Sequence, residues 1–239
     1  MGTRLEILFE DDHCLAVVKP AGQFPLGTWA PADETTLEAD VRVHLNPGDP
    51  GSAYVGIVHR LDRPTSGVVL WAKHPKAARR LSSQFEKRTV AKEYWAIAQP
   101  NNMARQGSLE PQWIDGITRA HVLGTAQVVP LGTPGAREAI TLARFGAAIR
   151  IPDGLVWLVL EPKTGRTHQL RAQAAARGMP IVGDAAYGSV RPFLPAGAIA
   201  LHARTLRARH PIEGSIITLH APTPPAWKQQ GIELPEAQA

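Results

Sequence analysis

The chain contains a single cysteine among its 239 residues, so it has no means of forming an internal disulfide. Disulfides support small secreted domains, and a chain without them is typical of a reducing compartment such as the cytoplasm. Cys14 precedes the apolar run Leu15–Val18, which predicts a strand. We therefore interpret Cys14 as a small core residue rather than as a nucleophile.

Long apolar runs are also missing from the sequence. Stretches such as Leu155–Leu160 are far shorter than the roughly 20 residues that a helix needs to cross a bilayer. The residues after Met1 include charged Arg4 and Glu6, and they lack the apolar run that a secretory signal requires. The sequence thus predicts no membrane association.

Two kinds of binding motif are absent as well. The nine histidines include no pair with ligand spacing such as His-Glu-x-x-His, which argues against a zinc site. No Gly-x-Gly-x-x-Gly or Walker pattern occurs, so we interpret Gly183 and Gly188 as turn glycines rather than as a phosphate cradle. The sequence therefore predicts no metal site.

Among the motifs that are present, the most informative is the run His59–Gly67, which has the sequence HRLDRPTSG. Its carboxylate, Asp62, stands between two arginines. Proline and glycine favour a turn here, and the apolar run Val68–Ala72 that follows predicts a buried strand. A turn held by a rigid sheet is a frequent place for chemistry. The same residues are equally consistent with an ordinary surface ion pair.

Positive charge is concentrated in residues 73–92, within a chain of 26 basic and 21 acidic residues and formal charge +5. A helix from Pro75 to about Phe85 is predicted there by three apolar residues that recur every four positions: Ala77, Leu81 and Phe85. The outward face of that helix would carry three basic side chains: Lys76, Arg79 and Arg80. These side chains suit contact with phosphates, although a solvated basic face is common on surface helices.

Strand patterns dominate the rest of the chain. We expect strands at Leu5–Phe9, Cys14–Val18, Val55–Val58, Val68–Ala72, Tyr94–Ala98, Ala139–Phe145, Val156–Leu160 and Ile216–His220. Further helices are expected at Thr36–Leu45, where Thr35 and Glu38 have capping-box spacing, and at His168–Arg177, ended by Gly178. Because the strands run in series without regular helix alternation, the sequence predicts an α+β fold with a mixed, mainly antiparallel sheet. We expect one domain over residues 1–228 and a flexible tail at 229–239.

A second group of motifs lies downstream. One run, Glu161–Arg171, has the sequence EPKTGRTHQLR, and another, Gly178–Gly188, has the sequence GMPIVGDAAYG. Together with HRLDRPTSG they resemble motifs of the RluA-type family of RNA pseudouridine synthases. Other stretches resemble further signatures of this family: Asp11–Gly22, Lys92–Ala96, Leu201–Ala203, His210–Pro211 and Ala221–Pro224. The resemblance spans roughly residues 5–226 and implies the pseudouridine synthase catalytic fold.

For the active site, the resemblance implies that Asp62 is the catalytic carboxylate. A nearby guanidinium would keep it ionised, because an opposite charge stabilises the charged form. Arg171 is the implied partner, with Arg166 as the alternative. Tyr94 resembles the family's tyrosine that stacks on the target base. The reaction rearranges the uridine without oxidation or reduction, so no cofactor is expected.

The same resemblance implies how RNA is held. Arg60 would fill the space left by the flipped nucleotide, and Leu201 would line the apolar side of the pocket. The basic side chains of the predicted helix, Lys76, Arg79 and Arg80, would contact the RNA backbone. The partner is then ribosomal or transfer RNA, and we expect a cytoplasmic enzyme that acts as a monomer.

Three other functions compete with this one. A catalytically inactive basic RNA-binding protein would not need Asp62, Tyr94 and Arg171 together. A protein kinase would need an aspartate directly after the arginine of its catalytic loop, together with a glycine-rich loop, and neither occurs. A glycoside hydrolase usually needs two acids, and no second carboxylate lies in a comparable motif, because Asp184 belongs to a turn pattern.

The sequence departs from the family in several places. Many members carry an RNA-binding S4 domain, and the residues before His59 leave no room for one, so we expect a stand-alone catalytic domain. Gln173 and Met179 stand where histidines are usual. Residues 100–151 match least, and we expect them to form variable strands that shape the choice of RNA.

Overall fold

A computed structural model of the chain describes residues 5–102, 104, 108–119 and 124–236. Contacts among these residues divide them into two compact units. The first comprises the described parts of Met1–Ala91 and Ala203–Pro222, and the second comprises those of Lys92–His202 and Thr223–Ala239. The expectation of one domain over residues 1–228 stays a prediction.

The first unit is built on antiparallel strands. Its strands are β1 (Glu6–Glu10), β2 (Cys14–Lys19), β3 (Gly56–Ile57), β4 (Ser66–Ala72), β10 (Leu201–Arg209, from Ala203 onward) and β11 (Ile216–His220). β1 and β2 form the predicted N-terminal hairpin, and β2 pairs with β4. β3 also pairs with β4, while β10 lies beside β4 and pairs with β11. The strand that follows the Asp62 motif is therefore central in this unit.

Helix α2 (Pro75–Glu86) of the first unit confirms the helix that the apolar periodicity of this segment predicts. Ala77 and Leu81 are buried against apolar side chains of β2 and β4. Pro75 occupies the first turn, and the ring of His74 caps the helix by accepting the Ala77 N–H at 3.2 Å. The apolar face of α2 thus packs on the sheet and leaves its basic face outward.

Helix α1 (Leu37–Leu45) differs from its prediction at the start. The backbone of Thr36 is extended, and its hydroxyl accepts the Ala39 N–H at 3.2 Å. The helix cap is therefore Thr36, and the predicted capping box of Thr35 and Glu38 is wrong by one position. Propensity alone does not distinguish two adjacent threonines, because either hydroxyl satisfies a free N–H group.

Gly67 of the motif brings β4 close to β10. Its φ is +121°, a conformation that residues with a Cβ rarely adopt. A Cβ at this position would lie 2.5 Å from the backbone nitrogen of Ala203 and 2.7 Å from its carbonyl carbon. The glycine is therefore required by the packing of two backbones, directly after the turn that carries Asp62.

The second unit has its own antiparallel strands, in the order β5, β9, β8, β6, β7. They are β5 (Ala91–Ala98, from Lys92 onward), β6 (Gln112–Arg119), β7 (Ala126–Val129), β8 (Arg137–Phe145) and β9 (Val156–Pro162). β5, β8 and β9 confirm predicted strands. β6 and β7 also lie in residues 100–151, where Ala139–Phe145 was the one strand specified in advance.

Helix α3 (Gln169–Ala176) of the second unit is more deeply buried than its sequence indicates. Its first six residues, from Gln169 to Ala174, are all buried. The helix ends near Gly178, which has a φ of +68°, as its sequence predicted. Aromatic packing supports the sheet nearby, where the rings of Trp95 and Trp157 meet edge to face with centroids 4.8 Å apart.

The expectation of a flexible tail at 229–239 stays a prediction, and residues 229–236 are its described part. After α4 (Pro225–Gln229), Ile232 and Leu234 are only 3% and 6% exposed. The backbones of Glu233 and Arg150 exchange hydrogen bonds of 2.8 and 3.0 Å. The described part of the segment thus has buried apolar side chains and a paired backbone, and residues 237–239 lie outside the described range.

The α+β class with a mainly antiparallel sheet is confirmed by these two sets of strands and their flanking helices. Within the described ranges, no helix combines the length and the apolar character that crossing a bilayer would require.

Candidate active site

The turn that carries Asp62 is fixed by its own backbone and by its neighbours. The Thr65 N–H donates to the Asp62 carbonyl at 3.1 Å, which closes the turn. Leu61, Thr65 and Ser66 are buried, whereas Asp62 is half-buried and Arg60 is exposed. The carboxylate therefore sits at the rim of a rigid element, within reach of both solvent and protein groups.

His59 anchors the start of the motif. Its Nε2 accepts the N–H of Leu70 on β4 at 2.9 Å, and its ring stacks on Phe85 of α2 with centroids 4.6 Å apart. The ring thus joins the turn to a strand and a helix. This geometry gives His59 a structural role.

Arg63 anchors the other side of the turn to the loop after β2. Its carbonyl accepts the Gly22 N–H at 2.9 Å, and its Nε donates to the Gly22 carbonyl, also at 2.9 Å. The guanidinium carbon lies 4.3 Å from the centroid of the Phe24 ring, and Glu34 is 3.4 Å away. Asp62 is therefore preceded and followed by anchored residues.

Lys19 supports the same turn, although the sequence did not indicate it. Its side chain is fully buried at the end of β2, and Nζ donates to the carbonyls of Pro20, Gln23 and Arg63 at 2.7, 2.9 and 2.9 Å. Burial lowers the pKa of Lys19 to about 7, the Asp62 carboxylate raises this pKa, and Arg63 lowers it. The only signal in the sequence was a lysine that directly follows the apolar run Leu15–Val18.

In the second unit, Arg171 lies on α3 and is paired with Asp184. Its Nε and Nη2 donate to the two carboxylate oxygens of Asp184 at 2.7 and 2.9 Å. Arg171 and Asp184 are 7% and 2% exposed, so this two-bond pair is buried. The sequence placed Asp184 in a turn pattern and assigned it no partner.

Buried amides hold α3 against the sheet of the second unit. Gln173 accepts a hydrogen bond from Thr141 at 2.7 Å and donates one to Asp115 at 2.6 Å. Gln169 accepts a 2.7 Å bond from Thr164. The amide at position 173 satisfies a donor and an acceptor at once, which accounts for a glutamine at this buried site.

Arg166, the alternative partner for the catalytic carboxylate, precedes α3. Its Nε donates to the Glu138 carbonyl at 2.8 Å, and its backbone N–H donates to Gln169 at 3.0 Å. It is less buried than Arg171. Either guanidinium remains a candidate for the ion pair with Asp62.

The two remaining pocket candidates of the second unit differ in exposure. Tyr94 lies on β5 opposite Leu160 of β9 and is half-buried. Leu201, at the start of β10, is 3% exposed. Tyr94 is thus partly accessible to solvent, whereas Leu201 is mainly a core residue.

The basic face of α2 has the predicted orientation. Lys76, Arg79 and Arg80 are all exposed. Arg80 also donates to the Pro211 carbonyl at 2.8 Å, which restrains its guanidinium. Asp62 and Arg60 belong to the same unit as this helix, whereas the other four predicted site residues belong to the second unit: Tyr94, Arg166, Arg171 and Leu201.

One group in the described part of the chain has atoms spaced as metal ligands: Asp11, Cys14 and His210, within 4.8 Å of one another. Asp11 already binds His210 Nε2 at 2.6 Å through one oxygen and the N–H groups of His13 and Cys14 through the other. Burial raises the pKa of the Cys14 thiol to about 12, so the thiolate that a metal needs is disfavoured. These contacts make the group a hydrogen-bonded clasp between the N-terminal hairpin and the loop after β10.

Comparisons with known proteins agree with these motifs. A family model described as RNA pseudouridylate synthase matches residues 13–176. The tRNA pseudouridine synthase C of Yersinia pestis is 34% identical over 233 residues, covering 94% of this chain and 88% of the relative. The ribosomal large subunit pseudouridine synthase D of Vibrio parahaemolyticus is 33% identical over 233 residues, covering 92% and 67%.

A solved structure, that of human RNA Pseudouridylate Synthase Domain Containing 1, matches with a TM-score of 0.73 and 26% identity. The match covers 99% of this chain and 93% of the human chain. The family model covers well over half of the sequence and includes the HRLDRPTSG motif and all of α3. The chain therefore belongs to the RNA pseudouridylate synthase family, and it is an isomerase of uridine in RNA.

Proposed function

We propose that Asp62 is the carboxylate that drives this isomerisation, on specific uridines of transfer or ribosomal RNA. The observation that supports this assignment most directly is the position of Asp62, half-buried on a turn whose two sides are anchored by His59 and Arg63. Catalytic groups need such fixed placement, because small displacements of a reacting group are costly in rate.

The chemistry explains why one carboxylate suffices. The bond between C1′ of the ribose and N1 of uracil breaks, and a bond between C1′ and C5 forms. The net movement is one proton from C5 to N1, so no oxidant, reductant or cofactor is consumed. An ionised carboxylate either attacks C1′ or stabilises the positive charge that develops on the sugar, as carboxylates do in glycosidases.

The other site residues would support this step. A guanidinium, from Arg171 or Arg166, would favour the ionised form of Asp62. Tyr94 would stack on the uracil, and Leu201 would limit the apolar side of the pocket. Arg60 would occupy the space of the flipped nucleotide, because the base must leave its stack before the glycosidic bond can be reached.

Backbone binding would come from the α2 face of Lys76, Arg79 and Arg80, which is exposed and adjacent in chain order to the Asp62 turn. Transfer and ribosomal RNA are the substrates printed in the names of the two relatives, and both present phosphates and accessible uridines. We expect the protein to act in the cytoplasm as a monomer. Pseudouridine mapping of RNA from a strain that lacks the protein would identify the modified uridine.

The direct test is Asp62→Asn, which keeps the shape of the side chain and removes its charge. We expect the variant to fold and to bind RNA while forming no pseudouridine. Asp33→Asn, the same change at an exposed position of the same unit, should convert RNA as the unchanged protein does. Near-normal conversion by Asp62→Asn would remove this residue from the mechanism.

The competing function, a catalytically inactive RNA-binding protein, makes a different prediction in the same assay. It requires that the unchanged protein bind RNA from the deletion strain without forming pseudouridine in it. It also requires that Asp62→Asn leave the pseudouridine content of the RNA unaltered.

A further inference from the structure

The guanidinium of Arg171 is held by more than its charge partner. Asp184 binds its Nε and Nη2 edge through two nearly parallel hydrogen bonds. Such a two-bond arrangement fixes both the plane and the rotation of a guanidinium, which a single bond does not. These two bonds use the Nε and Nη2 edge, so the Nη1 edge lies outside the pair with Asp184.

The ring of Tyr187 packs against one face of the Arg171 guanidinium. The centroid of its ring lies 4.9 Å from the guanidinium carbon of Arg171. Its hydroxyl accepts the N–H of Ala126 at 2.7 Å and lies 3.0 Å from Nδ1 of His168. The ring is thereby tied to β7 and to the residue that precedes α3.

Asp184 is itself fixed by a tight turn. Its carbonyl accepts the N–H groups of Tyr187 and Ser189, both at 3.0 Å, and its own N–H donates to Ile181 at 3.0 Å. Gly183 has a φ of +88°, and a Cβ there would lie 2.6 Å from the Ala198 carbonyl oxygen. The GDAAYG run is therefore a preformed clamp rather than a flexible surface turn.

We propose that Asp184 and Tyr187 are positioning residues for the reaction, and that they hold the Arg171 guanidinium in the single orientation in which it supports the catalytic step. The inference rests on the proposed function, in which Arg171 supports Asp62. Neither Asp184 nor Tyr187 needs to touch the RNA for this purpose. Without these contacts the Arg171 guanidinium would spend less time in its productive orientation. The resulting loss of rate would appear in kcat rather than in KM for RNA.

The experiment uses guanidinium added to a variant that lacks the Arg171 side chain. In Arg171→Ala, millimolar guanidinium, far below denaturing concentration, should bind Asp184 and restore kcat by about tenfold or more. In the double variant Arg171→Ala/Asp184→Asn, the same addition should change kcat by less than about twofold. Urea, a neutral molecule of the same shape, should restore nothing in either variant.

Arg177→Ala provides the matched control. Arg177 pairs with Asp115 at 3.0 Å just after α3, so the substitution also removes a guanidinium from a carboxylate. Its activity should not increase when guanidinium is added, because that pair has no part in the reaction. A purely structural role for Asp184 would give no rescue that depends on its carboxylate.

A second measurement covers the case in which Arg171→Ala does not fold. Asp184→Asn alone should lower kcat on the order of 10- to 100-fold, with KM for RNA changed by less than about threefold. The positioning role is overturned by equal rescue in the single and double variants, by absence of rescue in a folded Arg171→Ala, or by normal kcat in folded Asp184→Asn. If Asp62→Asn is active, the proposed function itself fails, whatever Asp184 does.

Discussion

Replacing Lys19 with Met removes a buried amine while keeping the length of the side chain. The amine donates to three carbonyl oxygens. The Arg63 oxygen keeps a donor in the variant, because the Gly22 N–H also binds it, whereas the oxygens of Pro20 and Gln23 lose theirs. Each unsatisfied buried group costs about 1–3 kcal/mol. Because Pro20 is an exposed residue and Gln23 is half-buried, we expect the free energy of unfolding to fall by roughly 2–4 kcal/mol at pH 6.

The loss of stability in Lys19→Met should increase with pH. The pKa of Lys19 falls from 10.5 to about 7 on folding, chiefly through burial. Between these values the unfolded chain binds a proton that the folded chain does not, so stability rises with pH, by up to about 1.4 kcal/mol per pH unit. Below pH 7 both states hold the proton and the contribution is constant. The stability difference between the unchanged protein and Lys19→Met should therefore grow from pH 7.5 to pH 9.

Urea unfolding at pH 6, 7.5 and 9 measures both quantities. Tryptophan fluorescence and circular dichroism should be followed together, because a chain with two compact units need not unfold in one step. Lys228→Met, at an exposed position of α4, is the matched control and should change stability by less than about 0.5 kcal/mol at every pH. Equal stability of Lys19→Met at pH 6 would refute the hydrogen-bond estimate. A difference that stays constant to pH 9 would refute the lowered pKa.

Two further predictions concern RNA. Tyr94→Phe should keep its stacking face and most of its activity, whereas Tyr94→Ala should lose about 1–3 kcal/mol of base stacking in RNA binding. Equal activity of the two variants would show that Tyr94 serves only the scaffold. Replacing Arg79 and Arg80 with Glu should weaken binding to RNA of every sequence and flatten its salt dependence. An unchanged salt slope in the folded double variant would show that this face of α2 does not contact RNA.

The local sequence pattern was sufficient to predict the elements whose apolar residues recur with the period of a helix or a strand and are buried. The N-terminal hairpin, α2 and the strand Ile216–His220 all lie where the sequence places them. β10 (Leu201–Arg209) was missed, because its sequence LHARTLRAR carries three arginines and suggests an exposed segment. In the structure, Arg204 is 4% exposed and donates to the Ala221 carbonyl. A charged residue with a tertiary partner is indistinguishable, in sequence, from one in solvent.

The same limit explains the partial prediction of the site. Asp62 and Tyr94 were found through motifs, and the turn around Asp62 through its proline and glycine. The supports of the site were not found, because Lys19 and Asp184 are charged residues that become useful only when burial and distant partners are known. Lys19 binds the carbonyl of Arg63, 44 residues away, and no local pattern encodes that contact.

Arg171 illustrates why burial decides the function of such residues. Beside the alanines of QLRAQAAA it would ordinarily be a solvated charge on one face of a surface helix. In the structure nearly every face of α3 is covered, so the guanidinium cannot reach bulk water and must be satisfied within the protein. Asp184 satisfies one edge, and a buried charge held in a single orientation acts on neighbouring groups far more strongly than one in water. The burial of α3, more than the arginine itself, is therefore what would suit position 171 to the role proposed for it.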